Sequence, residues 1–537
     1  MAVDYSLYLV TGRELLPPGK DFYETLDQAL QGGVTVVQIR EKTTDTGEFL
    51  EICQKSKSIC DRYNVPLFVN DRVDIALAVG ATGVHLGQTD MPISVARKLL
   101  PPNTIVGASC NNVGEVRKAL TDGADYIGIG AVWATNTKAL DKPLVGVRNV
   151  GAMLELLDGT SVQAVAIGGI KAHNLLRTMY GSVSRTGHPL NGVAVVSEIM
   201  ASENPKDAAA RLSNTLQTFR SGSAIPLALS FGTNVSTVDK ITEQVASLMK
   251  HMKEVNPLVH QITNNVAIAQ SANITISIGA SPIMATTAAE MSDLARVCDG
   301  LLVNIGTLTH DAYAGMLEAG MMDISNIVRS LLKAEFWSGR SMNTNRKPIV
   351  FDPVGVGATE FRKRTVNELL NTWQTTVIKG NAGELAALSG STEVESRGVD
   401  SVGAGFKDPV TFVRDLARRE RKTDYVSDGK SVAILNNGHQ YLGQITASGC
   451  ITGSCVAAYC ALASRIERSE RREESKLVDG DVFVGAISGI LVLNIAAEIA
   501  ATRGNVEGPG TFFPALLDEL ARLTPEKVVQ RVNIHLA

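Results

Sequence analysis

Aromatic side chains make up only 5% of this 537-residue chain, and cysteine occurs just seven times. Seven thiols spread over such a length do not form a disulfide framework, so stability has to come from large apolar cores. Excess positive charge is also missing. The formal net charge is -4, which argues against a generally basic surface for nucleic acid. The opening MAVDYSLYLVTG does not read as a secretory leader, and a cytoplasmic location is the default. The most apolar run, residues 482–501, contains Asn494 and Glu498 and follows Asp479 and Asp481. A buried core helix is expected there, with no membrane partner. The chain also lacks G-x-x-x-x-G-K-[ST], which speaks against a P-loop kinase.

Glycine is plentiful, 48 residues clustered at the ends of short apolar runs, and hydrophobic residues reach 45%. That is enough for two or three domains. Through the first 200 residues β-rich runs alternate with helix-compatible stretches. The runs are SLYLVTG (6–12), VTVVQIR (34–40), PLFVND (66–71), GVHLG (83–87), IVGAS (105–109), YIGIGAV (126–132), AVAIGG (164–169) and GVAVVS (192–197). They are apolar without strict alternation, as parallel strands buried on both faces require. Eight such units predict a (β/α)8 TIM barrel over 1–220, closed by a helix near 205–219.

Residues 221–236 lose this periodicity and read as a linker. The half from 237 to 537 opens with a helix. It then offers β-like runs at 301–306, 348–355, 376–381 and 431–438, with helices between them and a long apolar helical block at the end. Fewer strands and more helix predict an open three-layer α/β/α domain. The mixed-charge run RIERSERREESK (465–476) is expected to be a solvated loop or insertion.

Barrel chemistry belongs at the C-terminal ends of the strands. In QIREK, residues Gln38, Arg40 and Lys42 alternate and share one side of an extended segment. Two cations and an amide suit a diphosphate, and a surface salt-bridge cluster fits the pentapeptide equally well. Asp71 and Asp90 end adjacent units, as Mg²⁺ bridging to phosphate would require; either one alone is more often a helix cap. Ser109 and the TNTK segment (135–138) follow the fifth and sixth strands. Gly168–Gly169 and Val196–Ser197 end the last two and suggest a phosphate cup.

In this order QIREK, VNDR, GVHLGQTDMP, GASC, TNTK, AIGGI and GVAVVS resemble the thiamine phosphate synthase family over residues 5–200. The resemblance implies coupling of hydroxymethylpyrimidine diphosphate to a thiazole phosphate. Gln38, Arg40, Glu41, Lys42, Asn70, Ser109 and Lys138 would then bind the pyrimidine diphosphate. Thr135, Asn136, Thr137, Gly169, Val196 and Ser197 would seat the thiazole phosphate, and Asp71 and Asp90 would hold Mg²⁺. No catalytic histidine is implied. His85, inside the fourth strand, is expected to be structural.

The second half carries PLVHQITNNVAIAQSAN, GASPIMA, DPVGVGATEFR, GNAGE, SDG, SGCITGS and GPGTF. This series resembles hydroxyethylthiazole kinase, of the ribokinase-like superfamily. The resemblance implies ATP as phosphoryl donor, with Asn264, Met284 and Ala447 lining the thiazole pocket. Arg362, Ser427 and Gly449 would contact ATP, and Asn381 and Glu384 would serve its metal. The N-x-x-E spacing of Asn381 and Glu384 is also a common helix start. Ala447 replaces the first glycine that family members usually carry, and Ser427 replaces a threonine.

Cys450, Cys455 and Cys460 are five residues apart, so on a helix they point in three directions and cannot share a zinc ion. Cys455 and Cys460 are expected to pack in the core. Cys450 opens a helix, whose N-terminus is expected to lower its thiol pKa and make it a catalytic base. The kinase product is the barrel's substrate, so the fusion is chemically coherent. The resemblance further implies a homo-oligomer, a trimer or a multiple of one. With a flexible-looking linker and no tunnel signal in the sequence, the thiazole phosphate is expected to pass between the sites by free diffusion. Rival readings are a phosphosugar-type barrel fused to another small-molecule kinase, and a thiamine-responsive regulator without catalysis.

Overall fold

The computed structural model describes residues 3–135, 137, 142–221, 237–320, 345–398, 400–403, 405–420, 423–424, 427–470 and 478–537. The chain divides into two compact units, Met1–Pro226 and Leu227–Ala537. The linker expected at 221–236 lies, apart from Ser221, outside the described residues.

In the first unit β1 (Leu7–Val10), β2 (Val36–Ile39), β3 (Leu67–Asn70), β4 (Gly83–Leu86), β5 (Ile105–Cys110), β6 (Tyr126–Ile129), β7 (Gln163–Ile167) and β8 (Gly192–Val195) form a closed barrel. Every neighbouring pair is parallel, and β1 closes on β8 with Leu9 opposite Val195. The strand period of two separates two cores. Leu7, Leu9, Val37 and Val69 face the outer helices, while Tyr8, Phe68, Tyr126 and Val165 fill the interior. Gly107 is what admits the Tyr126 ring, since a methyl group there would stand 2.1 Å from its carbons. The helix Pro205–Ser221 packs over the helix Phe22–Gln31, and Gly32 meets the Lys206 carbonyl and Ala209 without room for a side chain.

The second unit opens with the helix Val238–Val255, capped by the Thr237 side chain. Its strands are β9 (Leu258–Ile262), β10 (Ser281–Ile283), β11 (Gly300–Asn304), β12 (Ile349–Asp352), β13 (Val377–Ile378), β14 (Glu395–Arg397), β15 (Asp400–Val402), β16 (Thr423–Asp424), β17 (Ala433–Leu435) and β18 (Ile534–Leu536). Six make one parallel sheet in the order β10-β9-β11-β12-β13-β16. Leu301, Val303, Ile349 and Phe351 pack with Met291, Met316, Leu369 and Leu370 from helices on one face. On the other face Gly300 and Leu302 meet Ala461 and Gly453 of the helix Ser448–Glu470. The three-layer α/β/α expectation therefore holds.

Three expectations need correction. The run at 431–438 supplies β17, which leaves the central sheet and pairs antiparallel with β18. The chain accordingly finishes in a strand rather than in helix. The charged run from 465 continues the long helix to Glu470, where Arg465 and Arg468 reach Asp299 at 2.8 and 3.3 Å. Residues 471–476 of that run lie outside the described residues. The apolar helix Val482–Ala501 is mostly buried inside the unit, as a core helix should be.

Candidate active sites

A cavity of about 390 Å³ opens at the C-terminal end of the barrel. Gln38, Arg40 and Lys42 enter it from β2, Asn70 and Asp71 from β3, and Asp90 from the loop after β4. Ser109 comes from β5, Thr135 and Thr137 follow β6, and Gly169, Val196 and Ser197 follow β7 and β8. Separate segments, up to 159 residues apart in sequence, thus converge on one space. Glu41 does not join them. Pleating turns it to the opposite side from Arg40 and Lys42, where Arg13 Nε and Nη2 hold its carboxylate at 2.8 and 3.2 Å. Asn136 and Lys138 lie outside the described residues.

Asp71 sits in the left-handed backbone region (φ 62°), and its amide donates to the His85 carbonyl at 2.9 Å. This bend turns its carboxylate toward Lys42, with which it forms an ion pair, and toward Asp90. Burial, followed by the hydrogen bond with Asp90, raises the Asp71 pKa to about 6. Burial pushes Asp90 up too, but its hydrogen bonds with Asp71 and with the Gly87 N–H (2.7 Å) outweigh that and hold it low. Two carboxylates crowded this way are a hard-cation donor pair. Among the described residues no third His, Cys, Asp or Glu completes a protein-only metal cluster. Asn70 is buried, and its Nδ2 has no hydrogen-bond partner, so a donor is left over where the cavity begins.

Several lining residues were not anticipated. Tyr8, Tyr126, His85 and Gln88 belong to the cavity. His85 is more than a packing residue: its ring nitrogens reach Tyr126 Oη at 2.8 Å and Ser109 Oγ at 2.9 Å. Burial pushes its pKa down to about 4, which keeps the ring neutral. The inward phase of β4 was the available signal. Near the glycine turn, Lys171 Nζ lies 2.9 Å from Ser197 Oγ and 3.3 Å from Glu198. Gly168 and Gly169 both have positive φ, and a side chain at Gly169 would strike the Ala134 carbonyl at 2.3 Å.

In the second unit polar residues gather where β9, β11, β12 and β13 end, the usual binding edge of an open parallel sheet. Asn264 Nδ2 donates to Asn304 Oδ1 at 2.9 Å and approaches Cys450 Sγ at 3.2 Å. Asn304 Nδ2 donates to Asp352 Oδ2 at 2.8 Å and lies 3.3 Å from the same sulfur. Lys379 Nζ donates to Asp352 Oδ1 at 3.1 Å. Sequence reading missed Asn304, Asp352 and Lys379 as members; each ends or directly follows a strand.

Cys450 behaves differently from expectation. Burial, reinforced by the Asp352 charge, raises its thiol pKa, and the amides of Asn264 and Asn304 do not reverse this. The first turn of a helix lowers a thiol pKa only while the sulfur stays solvated, and here desolvation wins. Cys455 and Cys460 are fully buried free thiols, packed as expected. Gly449 stands beside Lys379, where an added methyl group would come within 3.1 Å of Nζ. Ala447 adopts φ 66°, the left-handed conformation that suits glycine. Met284 is half-buried just after β10.

The proposed ATP contacts are largely spent on local structure. Arg362 donates to the carbonyls of Ile305, Val354 and Gly306 at 2.6–2.9 Å, tying two loops together. The Ser427 hydroxyl is buried within its own turn, donating to the Ser431 carbonyl and accepting from the Gly429 N–H. Asn381 and Glu384 form a capping box, and the other Glu384 oxygen accepts from the Gly355 N–H at 2.9 Å. Both of its carboxylate oxygens are thus engaged with backbone amides.

Two α/β units, each collecting its polar side chains at the C-terminal edge of its own parallel strands, define a fusion of two small-molecule enzymes. Residues 7–199 match the thiamine monophosphate synthase family, and residues 249–334 and 319–526 match the hydroxyethylthiazole kinase family. The chain is 36% identical over 547 residues to a probable thiamine biosynthetic bifunctional enzyme of Schizosaccharomyces pombe, covering 99% of this chain and 97% of that one. It is 33% identical over 563 residues to the thiamine biosynthetic bifunctional enzyme of Saccharomyces cerevisiae, covering 98% and 96%. Against the thiamine-phosphate synthase of Alkaliphilus oremlandii it is 41% identical over 215 residues, 40% of this chain and 97% of the relative. The chain belongs to the bifunctional thiamine biosynthetic enzyme family.

Proposed function

We propose that the second unit phosphorylates 4-methyl-5-(2-hydroxyethyl)thiazole with ATP, and that the barrel couples the resulting thiazole phosphate to hydroxymethylpyrimidine diphosphate. The products are thiamine monophosphate and diphosphate. The observation that carries this reading is the convergence of Gln38, Arg40, Lys42, Asn70, Asp71, Asp90 and Ser109 on the barrel cavity.

Coupling asks for no nucleophilic side chain. The bond from the pyrimidine methylene carbon to the diphosphate oxygen breaks, and its electron pair leaves with the diphosphate. The thiazole nitrogen then forms the new bond to carbon. Arg40 and Lys42 stabilise the departing charge, and the Asn70 amide and Ser109 hydroxyl orient the pyrimidine substrate together with Lys138. Mg²⁺ on Asp71 and Asp90 would add two positive charges beside the same leaving group. Thr135, Thr137 and the Gly168–Gly169 turn, with Val196 and Ser197, receive the thiazole phosphate, and Lys171 adds a cation beside that cup.

In the kinase, Asn264 and Cys450 contact the accepting hydroxyl. The free N–H groups opening the helix Ser448–Glu470 face the transferring phosphoryl group. The raised thiol pKa makes Cys450 a poor base, which a loose phosphoryl-transfer transition state tolerates. Arg362, Asn381, Glu384 and Ser427 act by shaping the backbone around ATP. A cytoplasmic homo-oligomer, a trimer or a multiple of one, is part of the same reading. Exposed Val266 and Ile276, both on or near the helix beside Asn264, support an interface there.

Incubation of the chain with ATP, Mg²⁺, hydroxyethylthiazole and hydroxymethylpyrimidine diphosphate should yield thiamine monophosphate. Absence of that product, with kinase or coupling turnover on other substrates, would overturn the proposal in favour of a phosphosugar-type fusion. No turnover at all would favour a non-catalytic regulator.

A further inference from the structure

Beneath the barrel cavity runs a continuous line of side-chain hydrogen bonds. Gln38 Nε2 donates to Tyr8 Oη at 2.7 Å, and Tyr8 Oη lies 2.8 Å from Tyr126 Oη. Tyr126 Oη lies 2.8 Å from His85 Nδ1, and His85 Nε2 lies 2.9 Å from Ser109 Oγ. Tyr8 and Tyr126 are buried, so their hydroxyls depend on one another and on these neighbours. Ser109, at the end of the line, faces the cavity, and its carbonyl is fixed by Gln88 Nε2 at 2.6 Å.

The line has a direction. Gln38 gives a hydrogen to Tyr8, so the Tyr8 oxygen is an acceptor and its own hydrogen must go elsewhere. Among the described residues the remaining partner of that hydroxyl is Tyr126. Tyr126 therefore accepts from Tyr8 and donates to His85 Nδ1. His85 must then carry its proton on Nε2 and donate it to Ser109 Oγ. The reverse order, or a doubly protonated ring, would leave one of the two tyrosine hydroxyl hydrogens buried without an acceptor. Such an unmade buried donor is disfavoured. Only the first arrangement satisfies every member of the line.

We infer that Tyr8, Tyr126 and His85 are positioning residues that hold Ser109 in one polarity, with its oxygen occupied by His85 and its hydrogen offered to the cavity. Ser109 then meets an acceptor atom of the substrate, a pyrimidine ring nitrogen or a diphosphate oxygen. This rests on the barrel assignment made above.

The direct test is a long-range ¹H–¹⁵N spectrum of the full chain labelled with [¹⁵N]histidine, the His85 signals being assigned with His85→Gln. The Nε2–H tautomer is expected at pH 7.5; the Nδ1–H tautomer or an imidazolium overturns the inference. Kinetics supply the second arm. Tyr126→Phe keeps the ring over Gly107 and removes only the hydroxyl. Coupling kcat/KM should fall about tenfold, as for loss of one oriented hydrogen bond. Adding Ser109→Ala should produce no loss beyond that of Ser109→Ala alone. Additive losses, or wild-type rates in Tyr126→Phe, overturn the inference. Wild-type turnover, measured in parallel, separates these outcomes from failure of the barrel assignment itself.

Discussion

Lys379 Nζ lies 3.1 Å from one carboxylate oxygen of Asp352, while Asn304 occupies the other at 2.8 Å. Asp352 is fully buried, and that burial raises its pKa, so the lysine is the counter-charge that keeps an ionised carboxylate tolerable there. Lys379→Ala should leave a buried charge unpaired and cost about 3 kcal/mol, at the low end for a broken buried pair. Thermal unfolding of the second unit should report the loss, and kinase turnover should fall with it. Coupling of supplied thiazole phosphate should be unaffected.

Asp71→Ala should do the opposite. It removes one of the paired carboxylates and frees Lys42, which now forms an ion pair with it. Coupling should drop by about a hundredfold or more, the scale of losing a major charge-stabilising element. Phosphorylation of hydroxyethylthiazole should continue at the wild-type rate. Separate assays of the two half-reactions, each with its own substrate supplied, check both statements.

Much of the barrel was legible because strands buried on both faces read as continuous apolar runs, and all eight appear where those runs fall. The second sheet was harder. β9 contains His260 and Gln261, both buried, and polar residues disguise an interior strand. Their side chains are satisfied across space, His260 by the Ala285 carbonyl at 2.9 Å and Gln261 by Thr275 and Ser454 at 2.7 and 2.9 Å. No local pattern announces partners that distant. Motif residues lead to the barrel cavity and to the polar edge of the second sheet, but not to each residue's local contacts. Arg362 and Glu384 carry the charges a phosphate or metal site needs, yet the backbone uses them first.

For Cys450 the balance between helix N-terminus and burial decides the kinetics. With its pKa raised, the thiol is protonated through neutral pH and gains thiolate only as pH climbs toward and past that value. A thiolate base would make the kinase rate rise about tenfold per pH unit over that range. The expectation here is a nearly flat kcat between pH 7 and 8.5, with Cys450→Ser losing less than about tenfold. A steep rise that disappears in Cys450→Ser would instead restore the base role. Cys450→Asp would crowd a second carboxylate against Asp352 and is expected to depress turnover.

Ala447 holds a left-handed φ of 66° immediately before the helix that carries Cys450. A Cβ in that region costs about 1 kcal/mol relative to glycine, partly offset by the greater freedom of glycine when unfolded. Ala447→Gly should therefore leave the second unit as stable or slightly more stable. Denaturant midpoints for wild type and variant measure this directly. A clear loss of stability would mean that the alanine methyl makes a packing contact worth more than the strain.

The helices Ser448–Glu470 and Val482–Ala501 pack on each other, and 78% of the most apolar 18-residue window of each is hidden inside the unit. The second of them has buried residues on every side. Once that pairing opens, the chain presents two long, mainly apolar segments, with few polar side chains to keep them apart from other copies. Unfolding of the kinase half should then run into aggregation faster than refolding. Its endurance would be set by a rate of opening, and its apparent melting temperature should shift with the speed of heating.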